Sequence, residues 1–236
     1  MKASQTARER ARAELAGEIT RTARRRLATE GAAGLSLRAV ARDLGMASSA
    51  VYRYFPSKDD LLTTLIIDGY NALGQAVEEA DAARGTADFP GRWRAACHAV
   101  RGWALAHPHE YALLFGSPVP DYRAPRDTVG PAARNTAVLA RIAAEAHRAG
   151  ALRAARRPHP DTGPLSPSPV VRELFGDCPE EVVARALSAW TALYGWVGFE
   201  VFGQFDGVLE GRESAFSQHV AHLAGLLGLA DGRAAR

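Results

Sequence analysis

A glycine at position 45 separates two short apolar-periodic segments, and that break constrains the fold more than any other feature. Leu37, Val40 and Leu44 recur at helical spacing, which gives the first segment one apolar face. Ser36 stands just before it, where a hydroxyl can accept a bond from a free backbone N–H and start a helix. Gly45 follows the last periodic residue and tolerates the left-handed conformation that ends one. Only Met46 and Ala47 then precede Ser48, a second expected N-cap. Two helices joined so tightly form a helix-turn-helix, whose second helix can enter a DNA major groove.

The second helix is expected over 48–55. At roughly 100° per residue, Val51 and Phe55 share the face that anchors it, while Ser49 and Arg53 point away. Tyr52 and Tyr54 leave from the flanks. That arrangement suits a groove, with base edges ahead and a phosphate backbone on either side. A competing reading makes the tyrosines half-buried core aromatics and Arg53 a solvated charge. Pro56 interrupts the helix, Ser57 caps the next, and Asp60 stands three residues on as a capping-box partner. Lys58 is one of two lysines among 29 cationic residues, and it sits where a helix dipole disfavours positive charge. A phosphate partner would offset that.

This stretch resembles the TetR family of bacterial transcriptional repressors. The residues that carry the resemblance are Ser36, Arg38, Ala41, Leu44, Gly45, Val51, Tyr52, Tyr54, Phe55, Lys58, Leu61 and Leu62, in ungapped register. The likeness covers residues 10–65. It implies phosphate contacts from Tyr52, Tyr54 and Lys58, and base or nearby backbone contacts from Arg38, Ser48, Ser49 and Arg53. With Ser36, these make the candidate DNA-binding set. Many members carry Thr where this chain has Ala50, so a hydroxyl contact there is missing and falls to Ser48 and Ser49.

Charge is divided in the same sense. Residues 1–58 hold 12 Lys and Arg against 5 Asp and Glu, whereas the remainder is mildly acidic. A basic N-terminal unit on an acidic body is an electrostatic footprint for nucleic acid. Arg24, Arg25 and Arg26 fall on the first helix beside the buried stripe Ile19, Ala23 and Leu27, and are expected to be solvated. Cys97 and Cys178 fit no disulfide framework or metal spacing and are expected as free thiols. No apolar run approaches the roughly 20 residues that span a bilayer, and no secretion signal opens the chain. A cytoplasmic protein without membrane contact or cofactor is expected.

The expected fold is all-α, with about nine helices. A three-helix DNA-binding domain over 1–57 joins a helical effector-binding and dimerisation domain over 58–236. Residues 156–169 carry five of the 13 prolines and are expected as a loop or insert. Leu187, Trp190, Thr191, Tyr194 and Gly198 on the penultimate helix form one stripe, and Phe216, Val220, Leu223 and Leu227 on the last form another. Both suit a homodimer, which two half-sites on an operator also require; closure of the protomer's own core is the alternative. In the resembled family these helices pair as a four-helix bundle. The segment around Trp190 and Gly195 also resembles a TetR subgroup with a Trp, His and Gly signature, although Tyr194 replaces the His.

The family resemblance implies a small-molecule effector, and Trp103, Phe115, Trp190 and Tyr194 are the candidate lining. The function expected is therefore an operator-binding repressor released by an organic effector. An effector-independent architectural DNA binder is the alternative. A metal protein is a further one, resting on His107, His109 and Glu110 or on His219 and His222, neither a complete ligand set. No nucleophile elbow or phosphate loop points to an enzyme.

Overall fold

A computed structural model describes residues 7–153, 163 and 165–229. Ten α-helices form among them: α1 Ala7–Gly34, α2 Leu37–Asp43, α3 Ser48–Tyr52, α4 Lys58–Ala82, α5 Phe89–Ala106, α6 Pro108–Phe115, α7 Val129–Arg148, α8 Pro169–Phe175, α9 Glu180–Val201 and α10 Arg212–Leu227. A 3-10 turn at Arg126–Thr128 and an isolated antiparallel bridge between Leu152 and Leu229 complete the regular structure. The all-helical fold is the one expected, with one helix more. The extra one is α8, where Ser168 accepts a bond from the Val171 N–H and Pro169 takes the first helical position. Most of the proline-rich stretch expected as a loop, 156–162 and 164, lies outside the described residues.

The chain folds as two units. The first comprises residues up to Tyr70 together with His107–Pro131. Its core is the expected stripe of α1 (Ile19, Ala23, Leu27) set against Leu37, Val40 and Ala41 of α2, Val51, Phe55, and Leu61, Leu62 and Leu65 of α4. Leu113 of α6 and Val119 and Tyr122 of the following loop also pack on this core. The compact unit around the helix-turn-helix thus reaches beyond 1–57, because a distant segment supplies one of its walls. The Tyr122 hydroxyl lies 2.9 Å from that of Thr63, tying this loop to α4.

The arginine cluster of α1 is not left to solvent. Arg24 pairs with Asp68 of α4 at 2.7 Å and with Glu110 of α6 at 3.2 Å. Arg26 bonds both oxygens of Asp43 on α2 and also pairs with Glu30. Arg25 donates to Thr22. Two of the three therefore fasten neighbouring helices to α1, a role that periodicity alone cannot reveal.

The second unit comprises Asn71–Ala106 and the chain from Ala132 onward. Here α5, α9 and α10 pack together, burying Trp93, Cys97 and Val100 of α5, Leu193 and Val197 of α9, and Phe216, Val220, Leu223 and Leu227 of α10. The apolar stripe of α10 expected at a dimer interface is thus spent on the protomer's own core. On α9, Leu187, Trp190, Tyr194 and Gly198 are half-buried and Thr191 is exposed. The exposed side of this helix shares only Thr191 with that stripe and runs on through Gly195 and Phe199 to Phe202 at the C-cap, the two phenylalanines 55% and 46% exposed. Buried charge is paired: Asp81 meets Arg92 at 2.7 Å and Arg141 at 2.8 Å, and Arg101 grips Glu200 through two bonds. Both cysteines are free. Among the described residues no helix is long and apolar enough to cross a membrane.

Candidate nucleic-acid interface

The turn between α2 and α3 closes in a way its sequence dictates. Gly45 adopts φ +65°, and its N–H reaches the Arg42 carbonyl at 3.1 Å while that of Met46 reaches Ala41 at 2.9 Å. These paired bonds satisfy carbonyls that a helix end leaves open, and the left-handed residue between them favours glycine. Ser36 takes the N-cap conformation, φ −138° and ψ 126°, but its hydroxyl makes no capping bond. Ala47, not Ser48, is the N-cap of α3, so Ser48 is its first helical residue and not the cap expected for it.

The reading helix is also shorter than 48–55. Regular α-helix ends at Tyr52; tighter bonds from Arg53 to Ala50 and from Tyr54 to Val51 continue the rod through a turn. Its orientation follows from the anchor. Val51 is fully buried and Phe55 nearly so, which leaves Ser49 and Arg53 exposed on the opposite side. Tyr52 is 41% exposed on one flank. Tyr54, on the other, is half-buried against the core, so its ring serves packing as well as any external contact. Arg38 is exposed on α2, and Ser36 and Ser48 are half-buried.

The start of α4 holds the last member of the set. Asp60 accepts from the Ser57 N–H at 2.9 Å while the Ser57 hydroxyl accepts from the Asp60 N–H at 3.1 Å, a reciprocal capping box. Lys58, half-buried, donates from Nζ to the Ala33 carbonyl at 2.8 Å. That bond gives the ammonium an internal partner not foreseen from sequence and fixes its position. An ammonium has three donors, so the contact does not exhaust it. Asp43 is the carboxylate of α2, and the hydrogen bond from Arg26 holds it below the usual carboxylate range, ionised and neutralised by its partner.

One residue of this surface escaped the sequence reading. The Arg12 guanidinium lies over the Tyr54 ring, 5.6 Å from its centroid. The visible signal was the alternating Arg8, Arg10 and Arg12 at the head of α1.

The four candidate effector residues are divided between the units. Phe115 belongs to the first, its ring against Tyr70 and Tyr111. Trp103, Trp190 and Tyr194 belong to the second. There the Tyr194 hydroxyl donates to Oδ1 of buried Asn135 at 2.6 Å, and its ring lies 5.9 Å from that of Trp190. None of the four lines the cavity of about 990 Å³ that opens in the second unit between the start of α5, the end of α7 and α10. Phe89, Trp93, Val220 and Leu229 supply its apolar wall, with Arg94 and Arg153 among its charged lining. Among the described residues no three His, Cys, Asp or Glu side chains gather as a metal site. Glu110 is committed to Arg24, and His219 stacks on Trp196 with Nε2 3.3 Å from the Ala192 carbonyl.

Comparison with known proteins agrees with this geometry. Residues 19–65 match the family described as bacterial regulatory proteins, tetR family, and residues 93–223 match the Tetracyclin repressor-like, C-terminal domain. The chain is 39% identical over 203 residues to the HTH-type transcriptional regulator Rv1816 of Mycobacterium tuberculosis, covering 83% of this chain and 84% of that one. The HTH-type transcriptional regulator Mb1846 of Mycobacterium bovis matches to the same extent. Among solved structures, the regulatory protein SCO4313 superposes with a TM-score of 0.73 at 34% identity, over 93% of this chain and all of that one. PfmR, a TetR family transcriptional regulator from Thermus thermophilus, shares the fold at 18% identity, with a TM-score of 0.57 over 90% of this chain and 99% of its own.

Proposed function

The chain belongs to the TetR family of bacterial regulatory proteins, and from that membership we propose that it is a homodimeric repressor released from its operator by a small organic effector. The observation that carries the DNA-reading assignment is the division of α3: Val51 and Phe55 are buried, and Ser49 and Arg53 project from the opposite side. Arg53 and Ser49 read base edges, with Arg38 and Ser48 beside them. Tyr52, Tyr54 and Lys58 hold phosphates, and Ser36 lies at the head of the first helix of the motif. Acting on DNA, the protein works in the cytoplasm.

Two copies are needed because one short helix reads few base pairs, whereas paired helices reach half-sites about one turn apart. The face of α9 bearing Thr191, Gly195, Phe199 and Phe202 supports pairing through the last two helices, since its two phenylalanines keep about half of their surface exposed in the protomer. Trp190 and Gly195 support placement in the Trp, His and Gly subgroup. Tyr194 keeps a polar bond, to Asn135, at the position of the histidine.

The cavity of about 990 Å³ supports an organic effector, being at the upper end of the range for small-molecule sites and walled mainly by apolar side chains. Trp103, Trp190 and Tyr194 remain aromatic candidates elsewhere in the same unit. A ligand that prefers a dimer whose reading helices are wrongly spaced lowers DNA affinity by linkage. The alternative, an architectural binder without an effector, leaves this cavity without a role. Selection of bound sequences from a random DNA pool, followed by a screen for molecules that release the selected operator, tests the proposal. A recurrent two-half-site sequence and a releasing molecule are expected. Equal affinity for all sequences would refute operator recognition, and an operator that no organic compound releases would favour the architectural reading.

A further inference from the structure

We propose that the head of α1 is a second DNA-contacting element, in which Arg12, lying over the Tyr54 ring, and Arg8 one turn before it clamp the phosphate backbone beside the reading helix. This rests on the assignment of α3 as the DNA reader. The contact is a cation–π one, with the Arg12 guanidinium over the Tyr54 ring and 5.6 Å from its centroid. Tyr54 lies in the turn that continues α3, so Arg12 is held against the flank of the reader and not elsewhere on the headpiece. A guanidinium drawn to an aromatic face by cation–π attraction keeps its N–H donors for other partners, and such a fork suits a bidentate phosphate contact.

The charges of this segment are otherwise unexplained. Arg8 and Arg12 are exposed, and among the described residues neither has a carboxylate partner. Farther along the same helix, Arg24 and Arg26 are both ion-paired. At i and i+4 the two side chains repel each other, and the positive end of a helix disfavours cations. Glu9 is the acidic residue of that first turn, against Arg8 and Arg10 beside it. An external polyanion supplies the missing counter-charge, and the cation–π contact aims one of the two arginines at the place where the backbone must pass.

The experiment uses the full chain and an operator selected from a random pool, with affinity measured across a salt series. Arg8→Ala and Arg12→Ala should each lower the magnitude of the log–log salt slope by about 0.9 per subunit, leaving base preference unchanged. Arg12→Lys keeps the charge and loses the fork, so the slope should hold while affinity falls several-fold. In a Tyr54→Leu background, Arg12→Ala should cost less than in the native chain, because the cation–π contact is already gone. An unchanged slope in the Arg8→Ala, Arg12→Ala double variant, with native DNA binding intact, overturns this proposal alone. Equal losses from Arg12→Ala in both backgrounds overturn the part given to that contact. Failure of the native protein to bind any duplex removes the assignment of α3 and this proposal with it.

Discussion

Tyr52 and Arg53 are adjacent in the chain, yet the proposed function gives them separate tasks. Tyr52 leaves from a flank, whereas Arg53 projects opposite the buried Val51. Tyr52→Phe removes one hydroxyl and should weaken binding to every sequence by about 1 kcal/mol, read as a uniform shift in a competition series. Arg53→Ala should cost about 1–3 kcal/mol at its own operator position and relax preference there alone. An unaltered preferred sequence would mean that Arg53 does not face the bases. The inward and outward sides of α3 were legible because Val51 and Phe55 are large, apolar and one turn apart. What their neighbours bond to was less so. Neither Ser36 nor Ser48 caps through its hydroxyl, since an N-cap preference describes a position and not the bond made in a given fold. The partner of Lys58, the Ala33 carbonyl, lies 25 residues away and leaves no local trace.

Helix ends were the most readable features at the level of elements. Gly45 and the Ser57–Asp60 box stand where their chemistry requires. Ser57→Ala should therefore cost about 1 kcal/mol of stability, measurable by thermal melting, with Ser57→Asp retaining most of it. The start of α8 was equally well marked by Ser168 and Pro169, but the dense prolines before it drew that cap into the loop. Long-range pairing was invisible. Asp81, 4% exposed, joins α4 to Arg92 of α5 and Arg141 of α7, and Asp81→Asn should cost about 1.5–3 kcal/mol by weakening these charged bonds, Arg92 keeping Glu145 at 2.6 Å. Burial pushes the Asp81 carboxyl up, but the bonds from Arg92 and Arg141 outweigh it and hold it below its ordinary value. Its stabilisation is hence full above the unfolded carboxylate value of about 3.9 and is lost as pH falls through the lower folded value. Stability followed from pH 6 to pH 2 should decline less steeply in Asp81→Asn than in the native chain.

For the whole molecule, the fold class was legible and the allocation of surfaces was not. Both stripes on the last two helices were visible as periodicities, yet a stripe does not say whether it faces its own chain or another. Phe216, Val220, Leu223 and Leu227 turn inward, and Phe199 and Phe202 are left outside. Phe199→Glu should consequently yield monomers in sedimentation and abolish tight operator binding while leaving the protomer folded. A dimer that survives this change would place the interface elsewhere. The membership of His107–Pro131 in the unit of the DNA reader was also hidden, because helical periodicity shows that α6 has an apolar face and not which neighbour covers it.

That discontinuous headpiece bears on how such a protein could be re-engineered. A reader transplanted as one uninterrupted cassette would arrive without the α6 wall, exposing the apolar ground beneath Leu113, Val119 and Tyr122 and freeing Arg24 from Glu110. Exchange of operator specificity between relatives therefore calls for two separate pieces of chain, moved together or not at all.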